Sequence, residues 1–394
     1  MSQPVAVDSS AGPTLCLVGA SDVTPFSMTP VERLRRTFAR VGVDRLLGPL
    51  AALPLSGRVL LLRGDRLYDD ALAKDMAERS DWILLDEQNR PVAANVDASI
   101  AAQTRALLET GASDAAAISA LGLTPVNPST LALSYRHKLR KRTPPFVIDL
   151  NEVSRGKAEW RLMMAAWKGV TDIVTKFVWP LPTLWVVRFC ARRDISPNMV
   201  TLASLGFVLI ALACFWYGWF ALGLVAAWIM TFLDTVDGKL ARVTLTSSTW
   251  GEIFDHGIDH VHPPIWWWAW WQGLQATYAA STGAGSLALI VVVGGYVLGR
   301  LQEGLFLWRF GIEMHAWQRL DSHFRLITAR RNPNLLLLTG FTIAGAPQEG
   351  FLAVAIWTAV SIAFHFMRIG QAFAAKRQNG AIVSWLAVAD PRSV

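Results

Sequence analysis

Four carboxylates, Asp234, Asp237, Asp255 and Asp259, stand inside one of the most apolar stretches of the chain. An uncompensated charge in such a place is expensive and is usually kept for function. Asp234 and Asp237 are three residues apart and Asp255 and Asp259 four, so each pair projects from one face of its own helix. A hairpin of the two helices would gather all four. Hard carboxylate oxygens held in that way suit Mg2+ or Mn2+. Gly238 removes a side chain directly after the second aspartate, which lets a bulky ligand such as a nucleotide approach the backbone. Arg242 follows Asp234 by two turns on the same face, where its planar fork can hold a diphosphate. Metal and arginine together imply phosphate chemistry.

The residues fall in a fixed order: D-x-x-D-G-x-x-A-R, eight residues, then G-x-x-x-D-x-x-x-D, filled by Asp234, Asp237, Gly238, Ala241, Arg242, Gly251, Asp255 and Asp259. This resembles the signature of the CDP-alcohol phosphotransferase (CDP-alcohol phosphatidyltransferase) family. The preceding I-S-P-N-M-V-T-L, Ile195 to Leu202, is similar to the segment that opens the family's first membrane helix, and the resemblance extends from about Glu159 to Phe373. It implies two divalent cations, Mg2+ or Mn2+, held by the four aspartates on the diphosphate of a CDP-linked donor, either CDP-diacylglycerol or another CDP-alcohol. It also implies that Asp259 takes the proton of an acceptor alcohol, which attacks the phosphorus distal to cytidine and expels CMP. Gly238, Lys239, Ala241, Arg242 and Gly251 would bind substrate, with Lys239 or Arg242 helping to neutralise the leaving group. The stored energy of the donor diphosphate makes ATP unnecessary. Such enzymes serve phospholipid biosynthesis and often form homodimers.

The elements that must position these residues are membrane helices. With 53% hydrophobic residues, 18 Trp and mean hydropathy +0.33, the chain is too apolar for an ordinary soluble protein. Six apolar segments are expected to span the bilayer: 198–216, 219–241, 252–272, 286–308, 334–346 and 350–371, the fifth being short. The links 217–218, 273–285 and 347–349 contain no Lys or Arg, whereas the opposite flanks carry Arg192, Arg193, Lys239, Arg242, Arg309, Arg319, Arg325, Arg330, Arg331, Lys376 and Arg377. By the positive-inside rule both termini and the aspartates lie on the cytoplasmic side of a multi-pass protein of the cytoplasmic membrane. The run Trp266 to Trp271 is expected at the headgroup level of the other side, as a structural anchor. The stretch from Glu159 to about Val187 mixes tryptophans with Arg161, Lys168 and Lys176, as in an interfacial helix broken at Pro180.

Net charge is +7, with basic residues beside apolar segments, which favours anionic lipid over nucleic acid as partner. Tyr135 to Arg142 is a basic run that reads equally as a solvated linker and as an electrostatic tether to anionic lipid or an anionic substrate. Cys16, Cys190 and Cys214 imply neither a disulfide framework nor a zinc site. No basic segment followed by an apolar core opens the chain, so no cleaved signal peptide is expected.

Ahead of the membrane part, T-L-C-L-V-G-A-S-D, G-R-V-L-L-L-R-G-D and D-W-I-L-L-D read as buried strands, with a helix over Val31 to Val41 starting near Thr29. Strands alternating with helices predict an α/β layer with a mostly parallel sheet. This part resembles, more weakly, the nucleotidyltransferase domain of inositol-phosphate cytidylyltransferase fusions. Asp65 would match a metal-holding aspartate there, but the glycine-rich G-x-G-x-R loop is replaced by G-A-S-D-V-T-P-F-S-M-T-P-V-E-R-L, so triphosphate has no cradle. The domain reads as a degenerate, inactive scaffold, with Asp65 a solvated loop residue. Its resemblance tilts the acceptor toward inositol or inositol phosphate.

The expected whole is multi-domain: an α-helical integral membrane domain of six transmembrane helices preceded by a soluble α/β nucleotidyltransferase-like domain. Residues 1–13 are a disordered start, 14–151 the α/β domain, 152–194 a basic, amphipathic juxtamembrane segment, 195–373 the membrane domain and 374–394 a cytoplasmic tail. His256, His260 and His262 adjoin the aspartates, and contacts around the site suit them better than a zinc site of their own. Arg325, Arg330 and Arg331 can hold an acceptor phosphate, although enforcing topology is the simpler role. A cation- or proton-coupled transporter using the aspartates as a relay is the alternative from another class. The fixed glycine, alanine and arginine have no clear purpose in a relay, and the aspartates stand at a membrane edge.

Overall fold

The computed structural model describes residues 12–388 apart from 113, 248 and 279–281, and the side chains of 249–250, 252–256, 282–284 and 379 lie outside the description. The start expected to be disordered therefore lies almost wholly outside the described residues. The chain divides into two compact units. One comprises Met1–Arg136, Arg142–Trp167 and Val243–Leu245, and the other His137–Lys141, Lys168–Arg242 and Thr246–Val394.

The first unit is an α/β layer. Strands β1 (Thr14–Val18), β2 (Leu46–Leu47), β3 (Arg58–Arg63), β4 (Arg66–Tyr68), β5 (Trp82–Leu85), β6 (Pro91–Asp97) and β7 (Thr124–Val126) alternate with helices α1 (Pro30–Ala39), α2 (Ala73–Glu78), α3 (Ala101–Thr110), α4 (Ala115–Ala120), α5 (Pro128–Leu131) and α6 (Arg155–Ala165). The main sheet runs β2-β1-β3-β6-β5-β7, while β4 pairs with Val147–Asp149. Leu60 and Leu62 pack with Phe38, Leu72 and Met76 on one face, and Val59 and Leu61 with Leu108 and Ile118 on the other. Cover on both faces explains why β3 reads as an unbroken apolar run. Helix α1 begins where the sequence places it, with the Thr29 hydroxyl accepting from the Glu32 N–H at 3.2 Å.

The sheet is mixed, which corrects the mostly parallel expectation. β1 is parallel to β2 and β3, and β5 to β7. β6, however, runs antiparallel to both β3 and β5. The cause is the short link 86–90, closed by the Asp86 carboxylate accepting from the Gln88 and Arg90 N–H groups at 3.0 and 2.8 Å. A link of that length joins only antiparallel neighbours. Asp65 also differs from its reading as solvated: it is buried, held by Arg63 at 2.6 Å and Arg66 at 3.2 Å, with Asn151 at 3.4 Å.

The second unit is helical: α7 (Ile173–Phe177), α8 (Pro180–Arg192), α9 (Pro197–Trp216), α10 (Phe220–Val243), α11 (Thr249–Tyr278), α12 (Thr282–Phe310), α13 (Arg319–Phe324), α14 (Arg331–Ile343) and α15 (Pro347–Asn379). Among the described residues, four helices are long and apolar enough to cross a membrane: Pro197–Trp216, Phe220–Val243, Gly285–Phe310 and Pro347–Gln378. The other two expected spans are helices too, but α11 carries acidic residues in its opening turns and α14 has 13 residues. At 1.5 Å per residue, α14 is about 20 Å long, short of a bilayer.

The interfacial stretch is not one helix broken at Pro180. Its first part is α6, where the buried Glu159 accepts from the Phe26 N–H at 3.0 Å and from Arg155 at 2.9 Å inside the α/β unit. Pro180 opens α8 instead of interrupting a helix, because its missing N–H costs nothing at a first position. The tryptophan run is structural, as expected, and three of its five tryptophans pack inside the helical unit. Trp266, Trp267 and Trp270 are buried in the core, where Trp266 donates to the Val208 carbonyl at 3.0 Å and Phe215 packs edge-on against Trp266. Gly273 lets α9 and α11 approach, since a Cβ there would lie 2.0 Å from the Phe215 carbonyl oxygen. The run therefore fastens two helices, with Trp268 exposed.

Candidate metal and phosphate site

Helices α10 and α11 bring Asp234 and Asp259 to the start of α14. There the Arg331 guanidinium donates from Nη2 to Asp234 Oδ2 and from Nη1 to Asp259 Oδ1, both at 2.6 Å. One planar fork thus ties together carboxylates from two helices, a geometry that lysine does not offer. Asp237, one turn after Asp234, is buried, and its Oδ2 accepts from the Thr201 hydroxyl of α9 at 2.6 Å.

The start of α14 is itself fixed. Asn332, next to Arg331, donates from Nδ2 to Asp172 Oδ1 at 3.0 Å and to Thr175 Oγ1 at 3.2 Å. Asp172 caps α7, accepting from the Thr175 N–H at 3.0 Å and the Thr175 hydroxyl at 2.8 Å. Burial alone would push the Asp172 carboxyl up, but the Arg325 guanidinium and the bonds from Thr175 and Asn332 hold it below its ordinary value.

Gly238 and Arg242 are related as the sequence suggests. A Cβ on Gly238 would lie 3.1 Å from Arg242 Nη2, so the guanidinium lies over the glycine. Lys239 is buried, while Ala241, Arg242 and Gly251 are half-buried. Asp255 and His256 have side chains outside the described residues. His260 is exposed, and His262 is buried with Nδ1 at 2.6 Å from the Ile258 carbonyl. Of the three arginines read chiefly as topology signals, Arg331 is on the aspartates, Arg330 is paired with Glu303, and Arg325 is buried near Asp172.

The sequence reading passed over Thr201 and the pair Asp172 and Asn332, because hydroxyl and amide partners far apart in sequence leave no spacing signal. It also passed over a group formed by Glu303, His315 and His365.

The residues present fit the divalent cations expected here. Two carboxylates from separate helices already converge on one cationic group, a third lies one turn away, and all the donors are hard oxygens. Comparison with known proteins agrees with this chemistry. Residues 194–364 match the sequence model of the CDP-alcohol phosphatidyltransferase family. The chain is 36% identical over 69 residues to a phosphatidylinositol phosphate synthase of Cutibacterium acnes, covering 17% of this chain and 33% of that protein. It is 36% identical over 74 residues to a phosphatidylinositol phosphate synthase of Streptomyces avermitilis, covering 18% and 30%. An uncharacterized CDP-alcohol phosphatidyltransferase class-I family protein of Schizosaccharomyces pombe is 35% identical over 84 residues, covering 18% and 21%. The chain spans a third or less of the length of each of these relatives.

Proposed function

From the premise that residues 194–364 form a CDP-alcohol phosphatidyltransferase domain, we propose that this protein transfers a substituted phosphate from a CDP-linked donor to an acceptor alcohol and releases CMP. The observation that carries the reading is the convergence of Asp234 and Asp259 on Arg331, with Asp237 braced by Thr201. Asp234, Asp237, Asp255 and Asp259 would hold two divalent ions, Mg2+ or Mn2+, whose chemistry when bound is to neutralise the diphosphate and acidify the acceptor alcohol. Asp259 takes the hydroxyl proton, and its effect comes from proximity more than from basicity. Gly238 admits the diphosphate to the α10 backbone, while Arg242 and Lys239 offset charge on the departing CMP. Ala241 and Gly251 line the same substrate surface.

The donor is CDP-diacylglycerol and the acceptor inositol phosphate or inositol. Two of the matched relatives are named phosphatidylinositol phosphate synthases, and this chemistry suits the cationic groups around the aspartates. The positive-inside pattern puts the aspartates and both termini on the cytoplasmic side of the membrane. Two copies of the chain form the working unit. The α/β unit serves as an inactive nucleotidyltransferase-like scaffold, its Asp65 occupied by Arg63 and Arg66. The matched family and its relatives offer nothing in favour of a relay-type transporter.

The test is Mg2+- or Mn2+-dependent CMP release by the purified protein. It would be offered CDP-diacylglycerol and a panel of CDP-alcohols, each with inositol, inositol phosphate, glycerol phosphate or diacylglycerol. Release that requires one donor and one acceptor, and that disappears in Asp259→Asn, is the expected result. Normal turnover by Asp259→Asn would remove the proposed base.

A further inference from the structure

Away from the aspartates, Glu303 of α12, His315 in the turn Met314–Ala316 and His365 of α15 meet inside the second unit. One ligand atom from each lies within 4.8 Å of the others. We propose that these three residues form a second metal site, for a borderline-soft divalent cation with zinc foremost.

Two independent observations carry this. The first is spacing. Tetrahedral zinc with bonds of ~2.0–2.1 Å sets its ligand atoms about 3.3 Å apart, and His315 Nε2 stands 3.2 Å from Glu303 Oε1. The imidazole rings of His315 and His365 have centroids 5.3 Å apart, and a nitrogen of each belongs to the group of ligand atoms that lie within 4.8 Å of one another.

The second observation is unmet bonding capacity. His315 and His365 are each only 3% exposed. Among the described residues, both ring nitrogens of His365 and Nδ1 of His315 have no hydrogen-bond partner. A neutral imidazole has one lone pair, so an ion bound through His315 Nε2 and one nitrogen of His365 would take up the lone pair that His365 otherwise leaves without a partner. Two imidazoles and one carboxylate are a ligand set that zinc favours, and it differs in kind from the all-oxygen set of the aspartates. The carboxylate has outer partners of the sort that orient metal ligands: Arg330 on Oε1, and Arg300 at 3.5 Å from Oε2. The group borders a small cavity lined by Tyr296, Arg300, Arg330, Ser361 and His365, which leaves room for a fourth ligand. Arg300 and Arg330 face that position and would favour hydroxide or another small anion there.

The experiment uses full-length, tag-free protein in detergent, stripped with chelator and titrated with Co2+ while visible absorption is recorded. Tetrahedral cobalt with nitrogen ligands absorbs strongly there, and cobalt among carboxylates and water absorbs weakly. The expected result is a strong band that saturates at one equivalent and is displaced by Zn2+. It should be lost in His315→Gln and in His365→Gln and kept in an Asp234→Asn/Asp237→Asn double variant. A wild-type titration without that band overturns the proposal whatever the variants do. So does a band that survives both histidine substitutions or follows the aspartates instead.

Discussion

Arg331 Nη1 and Asp259 Oδ1 lie 2.6 Å apart although 72 residues separate them in sequence. The same guanidinium reaches Asp234 on another helix, so Arg331 supplies the charge that keeps two neighbouring carboxylates compatible. A divalent ion among the aspartates would supply charge of the same sign, and this makes the arginine's importance depend on metal.

Arg331→Gln should therefore destabilise the metal-free protein more than the metal-loaded one. Removing one partner of a buried ion pair costs about 3–5 kcal/mol. The Asp259 side chain keeps 36% exposure, so solvent screening reduces the expected loss to about 1–3 kcal/mol. Denaturation in EDTA and in saturating Mg2+ checks this. An equal loss in both conditions would mean that Arg331 and the metal do not share the aspartates.

Thr201→Val keeps the shape of the side chain and deletes the hydroxyl that donates to Asp237 at 2.6 Å. Partners of this kind typically matter about 10–100-fold in metal affinity. The Mg2+ or Mn2+ concentration for half-maximal CMP release should rise by that factor, with the rate largely recovered at saturating metal. Thr201→Ser should restore the wild-type curve, and a Val variant with an unshifted curve would detach Thr201 from the metal site.

Legibility in the sequence followed the range of each contact. The aspartates were readable because spacings of three and four fix a helical face without tertiary information, and α10 and α11 do bring Asp234 and Asp259 together. Arg331 offered only a basic loop, since nothing local tells an arginine that marks topology from one that crosses the fold to a carboxylate. β6, reading P-V-A-A-N-V-D, lacks the β-branched density that announces a strand, and the antiparallel character of the sheet was missed with it. The tryptophans of α11 fit a headgroup belt by composition. Only packing against Phe215 and Val208 reveals them as core. Glu303, His315 and His365 are spaced 12 and 50 residues apart, beyond the reach of any motif.

Gly238→Ala should separate stability from activity. Gly238 lies inside α10, where alanine is favoured over glycine by roughly 0.5–1 kcal/mol. The new Cβ would meet only the flexible end of Arg242, at 3.1 Å from Nη2. Stability is expected to hold or rise, while displacement of the guanidinium raises KM for the CDP-linked donor. A variant that is less stable, or equally stable with unchanged KM, would dissociate the glycine from donor binding.

Asp172 gives the last prediction, a dependence on pH. Its folded carboxyl is held below the ordinary value of 3.8, so around and below that pH the unfolded chain binds the proton more readily than the folded one. The stabilisation is then fully present above about 3.8 and is lost as pH falls through the lowered folded value. Asp172→Asn removes the charge facing Arg325 and keeps an oxygen to accept from the Thr175 N–H. At neutral pH the variant should be less stable than the wild type, and the gap should close as pH drops below about 3.8. Because Asp172 is bonded to Asn332, the residue beside Arg331, the same substitution should also raise the metal requirement for CMP release. A gap that stays constant from neutral to acid pH would show that the neutral bonds, and not the Asp172 charge, hold α7 to α14.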